Sequence, residues 1–134
     1  MLKVFFNESQ RELLVEGFRD DYLRFGDSTR EVLVSDIEAA FPVESNGPTD
    51  ISQFVVRRGN PPNRVSLERG RIIFSVAPGL ERQFLSFISF PEDGDLPDSP
   101  IQYHHHFDGL TDDGTHVASD SLPVVFGLKR AGVT

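Results

Sequence analysis

The chain contains neither cysteine nor tryptophan, and each absence removes a class of function. Without cysteine there can be no disulfide bond, no thiolate metal site and no cysteine nucleophile. Glycoside hydrolysis uses two carboxylates that flank a sugar-binding cleft, and without tryptophan such a cleft would lack its best stacking surface. The sequence therefore disfavours disulfide-stapled folds, thiol chemistry and carbohydrate hydrolysis.

Long apolar runs are missing as well. The run that starts at Met1 ends at Asn7 and Glu8, which is too short for the apolar core of a secretory signal. The longest candidate, Leu122 to Leu128, is interrupted by Pro123 and Gly127. No stretch approaches the roughly 18 apolar residues of a membrane-spanning helix. We therefore expect a cytoplasmic protein.

The length of 134 residues corresponds to one domain, and we predict a single globular domain over residues 1–134. A chain of this length buries about two-thirds of its unfolded surface, so it can fold without staples. Hydrophobic residues make up 38% of the chain and charged residues 25%, which is typical of a globular protein and not of a disordered one.

Basic residues are outnumbered and unevenly placed. Thirteen lysines and arginines face twenty-one acidic residues, giving a net charge of −8, which disfavours binding to nucleic acid phosphates. No lysine or arginine lies between Gln83 and Leu128. That segment carries eight acidic residues: Glu92, Asp93, Asp95, Asp98, Asp108, Asp112, Asp113 and Asp120. Residues 57–82, in contrast, are rich in arginine.

Three interpretations of the acidic segment stay open. The acids can be solvated loop residues that keep the protein soluble, a surface that steers a basic protein partner, or ligands of a divalent cation. The acidic turns at 93–95 and 112–114 lack the alternating ligands and terminal glutamate of the twelve-residue calcium loop. The residues predicted to contact a partner are Asp93, Asp95, Asp98, Asp112, Asp113 and Asp120.

The hydrophobic pattern predicts an α+β fold. Strand-like and helix-like stretches follow one another, with one amphipathic helix predicted over 19–34. The predicted strands are 2–6, 12–16, 54–56, 64–68, 71–76, 82–90, 101–107 and 122–128. We expect a two-layer sandwich in which one antiparallel sheet of about seven strands packs on the helix. Residues 36–50 are expected to form a loop with at most one helical turn.

Residues 80–90 allow two interpretations. Apolar side chains occupy both odd and even positions of 84–90, so both faces of a strand there would be apolar. This pattern favours a central strand that completes a meander with 64–76. Leu80, Phe84 and Ile88 are also spaced by four, which is typical of a buried helix. The segment 122–128 is a candidate edge strand that could pair across a two-fold axis, so the chain is expected to be a monomer or a homodimer.

All four histidines fall within thirteen residues, and three of them are consecutive. On a strand over 101–107, Tyr103, His105 and Phe107 would face the core, whereas His104 and His106 would face outward. Two histidines at alternate positions can chelate one ion, and Asp108 and His116 (or Asp112) could complete a zinc or iron site. The alternatives are surface or hydrogen-bonded histidines and a metal-free binding surface.

Other catalytic patterns are absent from the sequence. There is no glycine-rich phosphate loop and no Gly-x-Ser-x-Gly turn. Ser119 and Ser121 lie near Asp120 and His116 in sequence, but nearness along a chain does not make a catalytic triad.

Three stretches give the chain a resemblance to small bacterial immunity proteins of polymorphic toxin systems. They are Leu13–Gly17 leading into a helix, the His-x-His-x-Asp stretch 104–108, and the segment Asp120–Val125 that opens the last strand. Together with the acidic loop they cover about a third of the chain. The resemblance implies a cytoplasmic stoichiometric inhibitor of a cognate toxin and not an enzyme.

We therefore expect a small acidic protein that docks a basic protein partner, such as a toxin, through its 92–120 region. No cofactor is expected for this function, and neither nucleic acid nor a membrane is an expected partner. The alternative is a metal-dependent enzyme or metal-binding module built on His104, His106, Asp108 and His116, with zinc or iron. A third hypothesis is a structural or oligomeric domain.

Overall fold

The computed structural model describes residues 1–45, 50–91, 104–108 and 116–129. Within these ranges the chain is α+β, as predicted, with nine strands and two α-helices. The strands are β1 (Lys3–Asn7), β2 (Glu12–Gly17), β3 (Ala39–Pro42), β4 (Glu44–Ser45), β5 (Gln53–Arg58), β6 (Arg64–Glu68), β7 (Arg71–Val76), β8 (His104–Phe107) and β9 (Val124–Leu128). The helices are α1 (Arg19–Ser35) and α2 (Glu81–Phe87), with a short 3-10 helix (Pro78–Leu80) before α2.

The strands form two mixed sheets. The first sheet has five strands in the order β4-β1-β2-β9-β8, and the second has four in the order β3-β5-β7-β6. Parallel pairs occur in both, between β2 and β9 and between β5 and β7. The prediction of one antiparallel sheet of about seven strands is therefore wrong. The physical reason is that β9, from the far end of the chain, pairs parallel with β2, and that β5 pairs parallel with β7 and not with β6, the strand that follows it.

The strands predicted over 2–6, 12–16, 64–68 and 71–76 are confirmed, and they form two hairpins. β1 pairs antiparallel with β2, and β6 pairs antiparallel with β7. Helix α1 is confirmed as well. Its first turn is closed by Asp21, whose Oδ2 accepts a hydrogen bond from the backbone N–H of Phe18 (3.0 Å). Such a carboxylate satisfies a donor that the helix leaves unpaired and interacts favourably with the positive end of its dipole.

Residues 81–87 are helical, so the strand and the meander predicted there are wrong and the competing helix is right. Pro78 lies in the first turn of the 3-10 helix, where its missing N–H costs nothing. Phe84 and Ile88, four residues apart, are both buried on one side of the segment. Residues 36–50 also differ from expectation, because β3 and β4 form where a loop was predicted.

The core is built around aromatic side chains that the helices and both sheets contribute. The ring of Phe25 on α1 contacts the rings of Phe54, Phe74 and Phe84 at centroid distances of 5.6, 5.2 and 6.2 Å. Phe74 in turn contacts Phe126, which joins the second sheet to the first. Aromatic pairs at these distances add to the hydrophobic gain from burial.

The two sheets are connected at two of their edges. On one side, residues 39–45 pair first with β5 and then with β1, so that β3 and β4 belong to different sheets. On the other side, residues 116–122 run along the start of β6. The backbone N–H of Ala118 donates to Asn63, and that of Leu122 donates to Val65, both at 2.8 Å.

Strand β9 lies between β2 and β8 and is buried along its whole length. The expectation that 122–128 is an edge strand is therefore wrong, and pairing across a two-fold axis through it is excluded. Pro123 precedes β9 and does not belong to it, so its missing N–H takes no bond from the strand. Neither helix of the described ranges is long and apolar enough to cross a membrane.

Candidate functional site

The histidines of β8 alternate between two faces, as the sequence predicts. Phe107 is fully buried, and its ring contacts Phe84 and Phe87 of α2. His105 is half-buried, stacks on Phe90 at 4.7 Å, and donates from Nδ1 to the backbone carbonyl of Phe87 (3.0 Å). This bond places a proton on Nδ1 and gives His105 a structural role. Tyr103, expected on the same face, lies outside the described residues.

His104 and His106 are exposed on the opposite face, where their rings lie 4.9 Å apart at an angle of 73°. The predicted histidine pair is thus brought together. Asp108 and His116 are both described, yet no three histidine, aspartate or glutamate side chains in the described ranges converge to hold a metal ion. Catalytic zinc sites use three protein ligands and structural sites four. A complete metal site would need a ligand from outside the described residues.

Most of the acidic residues predicted to contact a partner, namely Asp93, Asp95, Asp98, Asp112 and Asp113, lie outside the described residues. Asp120 is described and exposed. Its Oδ1 lies 3.0 Å from Nη2 and 3.1 Å from Nε of Arg64. An exposed ion pair of this kind contributes up to about 1 kcal/mol to stability and leaves the carboxylate in contact with solvent.

The serine beside Asp120 joins two segments of the backbone. Ser121 is buried, and its Oγ accepts a hydrogen bond of 2.8 Å from the backbone N–H of Val65. The hydroxyl thus ties the 116–122 segment to β6. This bond gives Ser121 a structural role.

The outward face of the first sheet carries a feature that the sequence analysis missed. Four side chains from four strands form one row across the sheet, because Phe5 pairs with Leu14, Leu14 with Val125, and Val125 with His106. Residues directly opposite each other on paired strands share a face. The row therefore places three apolar side chains on the face that points away from the core, with His106 at its end.

These side chains form the floor of a groove of about 680 Å³. Glu8, from the β1–β2 turn, and Glu12 of β2 also line it, together with Phe6 and Asn7. The lining, which consists of described residues throughout, contains no lysine or arginine. Neither glutamate forms an ion pair within the described part of the chain. The groove combines an apolar floor with an acidic rim.

A signal for this groove was present in the sequence. Strands β1 and β2 carry apolar residues at both parities, because Phe5 and Leu14 interrupt the alternation set by Val4, Leu13 and Val15. A half-buried strand that packs on a core alternates apolar and polar residues, so extra apolar positions indicate a second covered or binding face.

Comparison with known proteins found no protein-family model, no curated protein and no solved structure that matches this chain.

Proposed function

We propose that this chain is a small acidic binding protein that docks a basic protein partner through its 92–120 region, in the manner of an immunity protein that inhibits a toxin. The observation that carries the proposal is the segregation of charge. Eight acidic residues and no lysine or arginine lie between Gln83 and Leu128, and this segment accounts for the whole net charge of −8.

Clustered like charge is costly to a fold, and it raises the rate of association with a partner of opposite charge. The described geometry is compatible with such a surface. Asp120 stays 72% exposed although it pairs with Arg64, and Glu8 and Glu12 line the groove with acidic groups. The resemblance to immunity proteins, which rests in part on the same acidic segment, implies the same partner class.

Charge reversal tests the proposal. The double variant Asp112→Lys/Asp113→Lys and the matched control Glu31→Lys/Glu68→Lys change the net charge equally. The two control residues are exposed and lie on α1 and β6, outside the acidic segment. Each protein is immobilised and exposed to a lysate of the source cells, and captured proteins are identified by mass spectrometry. The product of the neighbouring open reading frame is the first protein to test in purified form.

The expected result is a basic protein that the wild type and the control capture and the Asp112/Asp113 variant does not. With that protein purified, the reversal should slow association by about tenfold or more at low salt and make the rate less sensitive to salt. If both variants associate as the wild type does, or if every captured protein is acidic, the proposed steering by this segment is wrong.

A further inference from the structure

We infer that the groove on the outward face of the first sheet binds a segment of the partner protein in which one apolar side chain is flanked by arginines. The inference rests on the proposed function, because that proposal supplies the basic protein partner. It adds a binding site outside the acidic segment and the chemistry of the segment that occupies it.

The floor of the groove accounts for the apolar side chain. Phe5 and Leu14 are half-buried, and Val125 is 8% exposed, although all three point away from the core. An aromatic or aliphatic side chain placed on this floor would remove further apolar surface from water.

The rim accounts for the flanking arginines. Glu8 and Glu12 belong to the groove lining, which holds no cation, and no described residue pairs with either carboxylate. A guanidinium group matches a carboxylate with two parallel hydrogen bonds, and arginine is enriched at the energetic centres of protein interfaces.

The net charge of the chain favours a basic segment, and not a second copy of this chain, as the occupant of the groove. A second copy would bring another net charge of −8 to an acidic rim. Like charges placed together across an interface cost binding energy, so a basic segment is favoured over self-association.

The test uses the peptide acetyl-Gly-Arg-Phe-Arg-Gly-amide titrated into the ¹⁵N-labelled full chain. Two further peptides replace phenylalanine with alanine or both arginines with glutamate. We expect saturable shifts of the amide resonances of Phe5, Leu14, Val125 and His106 with the first peptide. The alanine peptide tests the floor and the glutamate peptide tests the rim, and both should bind at least about fivefold more weakly.

The variant Glu8→Gln/Glu12→Gln tests the rim from the side of the protein, and Glu31→Gln/Glu68→Gln removes the same charge elsewhere. Glu8→Gln/Glu12→Gln should lower the affinity for the phenylalanine-containing arginine peptide by about five- to tenfold. The control variant should keep an affinity within about twofold of the wild type. All variants are compared with the wild type by circular dichroism before titration.

Equal binding of the phenylalanine and alanine peptides, equal affinity of the two double variants, or shifts spread outside the groove would overturn the inference. Self-association that perturbs the same four resonances without peptide would also overturn it, because a second copy would then be the occupant. If the arginine peptide does not bind in the groove but Asp112→Lys/Asp113→Lys still slows association with the partner, the groove inference is wrong and the proposed function stands. Arginine-peptide binding in the groove with no effect of that charge reversal would instead remove the acidic-segment proposal alone.

Discussion

The side-chain oxygen Oδ1 of Asn63 accepts a hydrogen bond of 2.7 Å from the backbone N–H of Ala77. Asn63 is fully buried, and its Nδ2 donates to the carbonyl of Leu80 (3.2 Å). Its backbone N–H donates to the carbonyl of His116 (2.9 Å). One residue therefore joins the start of β6, the turn before α2 and the 116–122 segment, which are three parts of the chain that are distant in sequence.

The variant Asn63→Ala should lower the free energy of unfolding by about 2–3 kcal/mol, because it leaves the N–H of Ala77 buried without a partner and removes the bond to the carbonyl of Leu80. The effect is measured by urea denaturation. Asn60→Ala is the matched control, since Asn60 is exposed, and it should change stability by less than about 0.5 kcal/mol. Similar values for the two variants would show that the bonds of Asn63 do not stabilise the fold.

Helix α1 and the strands of the two hairpins were predictable from the sequence, and the sheet topology was not. The alternation in 64–76 and the helical spacing of Tyr22, Phe25, Thr29 and Val32 are visible within short windows. The pairing of Leu13 with Val124 joins strands more than a hundred residues apart, and nothing in either strand specifies the other. The prediction for segment 80–90 failed for another reason, because the spacing of its apolar residues satisfies both the strand period and the helix period.

The same distinction applies to the candidate site. The outward position of His104 and His106 follows from the period of two in β8 and was predicted. The groove depends on Phe5, Leu14 and Val125 lying in one row, which requires the pairing of β9 with β2. The apolar residues Phe5 and Leu14 on the outward face of β1 and β2 could have indicated a second covered face. They could not have indicated which strand would complete it.

Tyr22 links α1 to the first sheet and should make stability fall at high pH. Its hydroxyl donates to the carbonyl of Gly127 (2.6 Å), with the carbonyl of Val15 at 3.2 Å. Burial raises the pKa of Tyr22 well above its usual range, and the charges of Glu16 and Asp21 raise it further. The buried hydroxyl therefore stays neutral in the folded state.

Because the folded pKa exceeds the unfolded one, the contribution of Tyr22 is complete below the unfolded value of about 10 and is lost as pH rises above it. We expect the wild type to lose stability between about pH 10 and pH 12, as followed by urea denaturation at each pH. The variant Tyr22→Phe should be less stable at pH 7, by about 1 kcal/mol, and should lose less on going to high pH. Parallel pH profiles for the two proteins would contradict this assignment.

Phe25 occupies the centre of the aromatic core, and its truncation should be among the most damaging single changes. Its side chain is fully buried and contacts the rings of Phe41, Phe54, Phe74 and Phe84. Phe25→Ala removes these contacts and leaves a cavity, which costs about 3–5 kcal/mol. Phe18→Ala provides the comparison, because Phe18 is 47% exposed. Thermal unfolding should separate the two variants widely, and a Phe18 variant as unstable as the Phe25 variant would argue against this core.

Metal content distinguishes the proposed binding protein from the metal-module alternative. The described residues bring together His104 and His106 but no third ligand. Two exposed imidazoles give a weak site, because stable zinc sites use three or four protein ligands. We therefore expect untagged protein, purified without chelator and desalted after loading with zinc or iron, to hold far less than one equivalent of metal by elemental analysis. A stoichiometric metal that His104→Ala and His106→Ala each abolish, in variants that keep the wild-type circular dichroism, would show that a further residue completes the site. The His-x-His-x-Asp stretch would then be the functional centre, and the open question would become which substrate its metal-bound water attacks.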